Sequence, residues 1–189
     1  MGITKILPRS IEFLINIKKF LQDIAGASIL KEWKEIEKEN IVFVDDSMLP
    51  EILRIQDEGF QNANKEKIFK YSKMFRKIFY VIKCKGKIAG FCIYYIKPSI
   101  SLKGLRKQAV ISSIAIDKKF RGKGLAEKLL NDTIKEIKLN GIQTIILYVN
   151  VNNVPATKLY QKIGFQTTRE VKNVCGKEEK CYEMELNLA

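Results

Sequence analysis

Val110-Ile111-Ser112-Ser113-Ile114-Ala115-Ile116-Asp117-Lys118-Lys119-Phe120-Arg121-Gly122-Lys123-Gly124-Leu125-Ala126-Glu127-Lys128-Leu129-Leu130 decides how this 189-residue chain is read. The stretch opens as an apolar, β-branched run, passes through a basic turn with two glycines, and continues with helical spacing. A strand that feeds such a turn into a helix makes an anion trap. The first helical turn has amide groups without intrahelical partners, and its dipole favours negative charge. Gly122 and Gly124 remove Cβ atoms, so a phosphate could approach the backbone, while Arg121 and Lys123 add charge. Neither a Walker A loop nor a dinucleotide GxGxxG is present. Taken alone, the stretch also fits a plain strand-to-helix connection with basic, solvent-facing side chains.

Upstream, residues 1–40 read as a helical extension. Ser10 can cap a helix with Phe13, Ile17, Phe20, Leu21 and Ile24 on one stripe, and Ala25-Gly26-Ala27-Ser28 is expected to break it. A second helix is predicted over Ile29–Glu39, the pair docked on the main domain; a homodimer contact or a lid over an acceptor site are the other roles open to it. Residues 41–189 form the second unit. Ile41–Asp46 reads as a strand, Ser47–Gly59 and Asn64–Lys77 as helices, Ile78–Ile82 and Ile88–Ile96 as a hairpin around Lys85-Gly86, and Pro98–Lys107 as a loop. After the turn, a helix runs to about Leu139 and stops at Asn140-Gly141. Thr144–Val149 is a nearly all-apolar strand, as expected for one buried on both faces. A helix opens at Asn153-Val154-Pro155 and ends at Gly164, and two strands close the chain. The fold class is α/β, with a right-handed βαβ crossover placing parallel strands beside antiparallel hairpins.

Composition narrows the function classes. Apolar residues make up 46% and charged residues 29% of the chain, ordinary for a globular domain. No apolar run approaches a bilayer span, and charges interrupt the N-terminal apolar segment where a signal peptide would be continuous, so the reading is cytoplasmic. The net charge is +13. The basic residues are dispersed and not clustered with aromatics, which argues against nucleic acid as the partner. The chain contains no histidine. That excludes a histidine triad, a histidine–zinc site and an imidazole base. Cys84, Cys92, Cys175 and Cys181 fit no zinc or CxxC spacing and read as reduced thiols; no metal is implied.

Two motifs, in order, then carry a resemblance. Arg121-x-x-Gly124-x-Ala126 is similar to the Q/R-x-x-G-x-G/A signature of the GNAT superfamily of acyl-CoA N-acyltransferases. Asn153-x-x-Ala156-x-x-Leu159-Tyr160-x-x-x-Gly164-Phe165 resembles that superfamily's second signature. The resemblance covers roughly residues 41–188. It implies a GNAT fold in which the strands Ile111–Ile116 and Thr144–Val149 splay apart around the pantetheine arm of acetyl-CoA. It implies that Ile114, Ala115 and Ile116 offer backbone groups to the cofactor and to the oxyanion. The pyrophosphate would lie on Arg121, Gly122, Lys123, Gly124, Leu125 and Ala126. Asn153 would hold the pantetheine and start its helix, and Tyr160 would protonate the departing thiolate. A tyrosine with a pKa near ~10 is a donor at neutral pH.

The base and the acceptor are less constrained. Many family members place Glu or His on the central strands, where this chain has Ser112, Ser113 and Tyr148. In enzymes resembling the ribosomal-protein alanine type, Glu stands in an L-E-V run; here the run is Leu147-Tyr148-Val149. Tyr148 therefore either relays a proton through water to Glu58 or Tyr94, or lines the acceptor channel. Asp57-Glu58-Gly59-Phe60 resembles the acceptor loop of N-terminal acetyltransferases, while the usual R-x-x-Y-Y segment is replaced by Arg169–Asn173. The expected function is transfer of an acetyl group from acetyl-CoA to a primary amine, a peptide or protein N-terminus favoured. A polyamine, a lysine, a small amine, or a non-catalytic acyl-CoA-binding module remain alternatives.

Overall fold

The computed structural model describes residues 9–59, 65–101 and 104–188. The chain runs α1 (Arg9–Ile29), β1 (Ile41–Phe43), α2 (Leu49–Gly59), α3 (Lys65–Met74), β2 (Phe79–Cys84), β3 (Lys87–Ser101) and β4 (Gly104–Ile116). It continues with α4 (Leu125–Leu139), β5 (Thr144–Asn150), α5 (Val154–Ile163), β6 (Gln166–Lys172) and β7 (Lys180–Asn187). The strands form one seven-stranded sheet in the order β1-β2-β3-β4-β5-β7-β6. Among the described residues only β4 and β5 are parallel neighbours, joined through α4.

Alternation of side chains across the strands assigns the two faces. Tyr80 and Tyr94 point to α4, where they bond Glu136 and Thr133. Tyr95 points the other way, against the Tyr71 and Phe75 rings on and just after α3. α2 covers the same face, its last residue, Gly59, lying against Ala115. The sheet is thus sandwiched, with Phe79, Phe91, Ile93 and Ile96 fully buried within it.

A buried carboxylate ties the N-terminal segment to this body. Glu136 on α4 accepts from Trp33 Nε1 at 2.9 Å, Ile36 N at 2.8 Å and Tyr80 OH at 2.7 Å, and pairs with Lys38. Four donors around one buried anion satisfy its lone pairs and compensate its desolvation.

Residues 1–40 depart from expectation. α1 runs unbroken through Ala25–Ser28 to Ile29, and the second helix shrinks to a single 3₁₀ turn, Leu30–Glu32. The apolar stripe of α1 faces solvent: Phe13 and Leu14 are 64% and 63% exposed. The helix docks near its C-terminal end, where Gly26 lies so close that a Cβ would sit 2.4 Å from the Ile96 carbonyl oxygen. That close approach explains the glycine in a helix.

Pro98–Lys107 is no loop. β3 and β4 stay paired to Ser101↔Gly104, a two-stranded ribbon beyond the sheet. Its proline and glycine suggest a loop, but a ribbon outside the sheet tolerates both. Cys175 and Cys181 are joined as a disulfide across the β6–β7 connection, with Cα atoms 6.2 Å apart, correcting their reading as thiols. Cys84 and Cys92 are free.

Candidate active site

The parallel pair β4–β5 separates early. Pairing is limited to Gln108↔Thr144, Ala109↔Ile145 and Val110↔Ile146, although β4 continues to Ile116 and β5 to Asn150. The cause lies in β4 itself. Against β3, Ile93 pairs with Ser113 and Tyr94 with Ile111, leaving Ser112 as an extra residue. Such a bulge bends its strand and strengthens the local twist. The Ser112 hydroxyl is buried without a hydrogen-bond partner among the described residues. Beyond Val110, the β5-facing edge of Ile111–Ile116 has no strand partner, so its backbone groups face a wedge.

The wedge ends in the glycine turn. Gly122 and Gly124 have φ of 73° and 72°, left-handed values that a side chain would strain. A Cβ at either glycine would meet nothing within 4 Å, so the space above the turn is open. A notch of about 170 Å³ forms between the end of β4 and the first turn of α4, lined by Ile116, Arg121, Gly122, Gly124, Leu125 and Ala126, with Leu159 on the α5 side. Arg121 folds back, its Nε donating to the Ile116 carbonyl at 2.9 Å. Lys123 lies over the Phe120 ring. Glu127, the one acidic wall of the notch, is engaged by Lys162 at 2.7 Å. The notch has the geometry and charge to hold a phosphate on backbone amides.

Asn153 caps α5, its side chain accepting from Ala156 N at 3.3 Å. Tyr160, one face of α5 later, is buried and packs edge-on against Phe165. Burial pushes its hydroxyl pKa well above 10, with Cys92 close enough to add to the effect. Tyr160 therefore stays protonated on the α4 side of the sheet. Tyr148 approaches from the opposite face. Burial, a hydrogen bond to Glu183 and the nearby Tyr95 push its pKa up to about 12.

Glu183 is the site residue that the sequence did not single out. It pairs with Tyr148 across β5–β7. Arg169 grips it with Nε at 3.1 Å and NH2 at 2.8 Å. Arg169 and the hydroxyls of Tyr148 and Thr168 hold its carboxyl below the usual range, so it is ionised. An alternating strand of the type Lys180–Asn187 carries several acids, and only the cross-strand register picks out this one.

The other expected acceptor residues scatter. Tyr94 is fully buried, its hydroxyl 2.9 Å from Thr133 Oγ1 under α4, and cannot receive a proton from Tyr148. Glu58 is bonded to Arg54, which also holds Glu51 and Asp117 and so clamps α2 to the end of β4. Phe60 lies outside the described residues. Ser113 sits on β4 beside the bulge, half-buried.

A profile described as the Acetyltransferase (GNAT) family matches residues 46–165, well over half of the chain. The chain belongs to the GNAT acetyltransferase family. Among curated relatives, a probable spermine N(1)-acetyltransferase of Bacillus subtilis subsp. natto is 32% identical over 88 residues, covering 46% of this chain and 58% of that protein. The [ribosomal protein bS18]-alanine N-acetyltransferase of Escherichia coli K12 is 27% identical over 117 residues, covering 62% and 74%. This GNAT chain thus spans less than two-thirds of the length of the first of these. Among solved structures, Ard1 from Thermoplasma volcanium superposes with a TM-score of 0.68 at 20% identity, over 79% of this chain and 97% of that one. At that identity the likeness concerns the fold, and the splayed β4–β5 pair sits where the GNAT signatures place it.

Proposed function

We propose that this chain transfers an acetyl group from acetyl-CoA to a primary amine, with a peptide or protein α-amine as acceptor. The observation that carries the reading is the wedge after Val110/Ile146, closed at one end by the left-handed glycine turn. A wedge lined by unpaired strand edge suits an amide-containing pantetheine arm, and the notch suits its pyrophosphate.

Roles follow from placement. Backbone N–H groups of Ile114–Ile116 stabilise the oxyanion as the amine attacks the thioester carbonyl. Tyr160, protonated and buried on the α4 side, donates to the leaving thiolate, whose conjugate acid has a pKa near ~8.5. Tyr148 and Glu183, on the other face, accept the amine's proton through the hydroxyl-to-carboxylate hydrogen bond. The relay thus ends on Glu183, not on Glu58 or Tyr94. The α-amine reading draws support from the alanine N-acetyltransferase, which aligns over more of the chain than the spermine enzyme does.

Thiol release from acetyl-CoA, measured over a panel of N-terminal peptides, lysine peptides, polyamines and small amines, tests this. Peptide α-amines are expected to raise release above hydrolysis. A response to polyamines alone overturns the acceptor assignment. Tight acetyl-CoA binding with no response to any amine leaves a binding module.

A further inference from the structure

The N-terminal half of α1 stands off the body, every residue from Phe13 to Leu21 being exposed. Between this helix and the rings of Tyr71 on α3 and Tyr95 on β3 lies a cleft of about 290 Å³. The helix is held near its C-terminal end, where Gly26 meets Ile96 and Asp23 accepts from Lys70 Nζ at 2.6 Å. At about 100° per residue, Phe13, Ile17, Phe20 and Ile24 fall on the side opposite Gly26, with Leu14 and Leu21 beside them. Their exposures run from 39% for Ile17 to 64% for Phe13. Lys18, Lys19 and Asp23, the charged residues of the same span, lie outside this stripe. A contiguous uncharged face of this kind marks an interaction site.

The spacing of the stripe says what fits it. Phe13, Ile17, Phe20 and Ile24 alternate in steps of four and three, the step of a helix–helix seam. The stripe is also symmetric about its own midpoint, between Lys18 and Lys19. Turned end for end, Phe13 falls opposite Ile24 and Ile17 opposite Phe20, while Leu14 meets Leu21 on the flank. Such a surface complements itself about a two-fold axis, as an isologous contact requires. The six side chains offer roughly 500–600 Å² per copy, about 1,000–1,200 Å² in a pair, the size at which specific interfaces begin. Because Gly26 docks the opposite side of α1, two copies approach with their bodies apart. Lipid is a poorer occupant. A helix lying on a membrane keeps a solvated, charged face opposite its apolar one. Here that side is docked on β3, and Lys18 and Lys19 line the cleft.

We propose that the α1 stripe binds a second copy of this chain, the two helices antiparallel about an axis between Lys18 and Lys19. The contact is independent of the acceptor. Each copy carries a net charge of +13, so repulsion opposes the pairing and salt, by screening it, favours it.

Sedimentation equilibrium of the full chain is expected to show a dimer whose Kd falls as salt rises. Ile17→Lys and Phe20→Glu each place an unpaired charge in the seam. Each is expected to weaken self-association by about 100-fold or more, with the far-UV circular dichroism retained. Mixed one to one, the two variants are expected to associate again, because antiparallel register sets the introduced cation against the introduced anion. A chain that stays monomeric at every salt concentration overturns the assignment, as does a dimer that both single variants leave intact. Failure of the mixture to associate overturns the antiparallel contact. A monomer that floats with vesicles of equimolar phosphatidylcholine and phosphatidylserine, and is released by salt, overturns the proposal and gives the face to lipid.

Discussion

On the α4 side of the wedge, the groups that would meet acetyl-CoA are mostly backbone: the β5-facing edge of Ile111–Ile116, the left-handed Gly122 and Gly124, and the first amides of α4. On the α3 side, the surface is made of side chains from α1, α3, β3, β5, β6 and β7, held by ion pairs and hydrogen bonds. Backbone geometry is set locally, by a bulge and two glycines within some dozen residues. A side-chain surface needs six distant segments in register. The first kind of site tolerates sequence drift around it, and the second can change its ligand by single substitutions.

The contrast is broken most severely at the hub that holds the N-terminal segment. Glu136→Ala removes one partner from Lys38, Trp33, Tyr80 and the Ile36 amide, leaving a largely buried ammonium uncompensated. A loss of about 3–5 kcal/mol is expected, read as a fall in Tm of roughly 6–20 °C. If the acceptor side depends on this hub and the cofactor side does not, acetyl-CoA affinity below the transition should survive. An unchanged Tm would show that the segment is held by apolar packing alone.

Gly124→Val attacks the other half. A β-branched residue at φ of 72° is strained, and its methyls enter the open space above the turn. Acetyl-CoA binding should weaken by about 10- to 100-fold, with peptide binding little affected. Intact affinity would place the pyrophosphate away from the turn. Tyr160→Phe follows in size: kcat should fall by ~10-fold or more with acetyl-CoA affinity retained, because only the donated proton is lost. A kcat within twofold of the parent would make Tyr160 a packing residue.

Legibility in the sequence divides along the same line. The helix over 125–139, its stop at Asn140-Gly141 and the Asn153 cap appear where spacing and capping chemistry put them. So do the parallel β4–β5 pair and the succession of the strands along the chain. These features depend on neighbours in sequence. The α3 side depends on tertiary register. Tyr94 and Tyr95 are equivalent as letters, yet one faces Thr133 and the other the cleft, because the Ser112 bulge and the strand parity decide which. Glu183 was invisible for the same reason: only the pairing with Tyr148 distinguishes it from Glu185 two residues on. The α1 stripe marks the same limit: helical periodicity reveals an apolar face without saying what covers it.

Glu183 also gives the smallest and most specific expectation. Its carboxyl is held below 4.5 first by Arg169 and then by hydrogen bonds from Tyr148 and Thr168, against the opposing effect of burial. A folded-state pKa below the unfolded one contributes stability that is fully present above pH 4.5 and lost as the pH falls through the folded value. Because the Arg169 side is open to solvent, screening keeps the contribution below about 1 kcal/mol. Glu183→Gln should therefore lower stability slightly at pH 7 and flatten its decline between about pH 5 and pH 3, with urea denaturation as the readout. In the same variant Tyr148 loses the anion that raises its pKa, so its titration should move down from about 12. A tyrosine titration that stays in place would detach Tyr148 from Glu183, and with it the proton relay on the acceptor face.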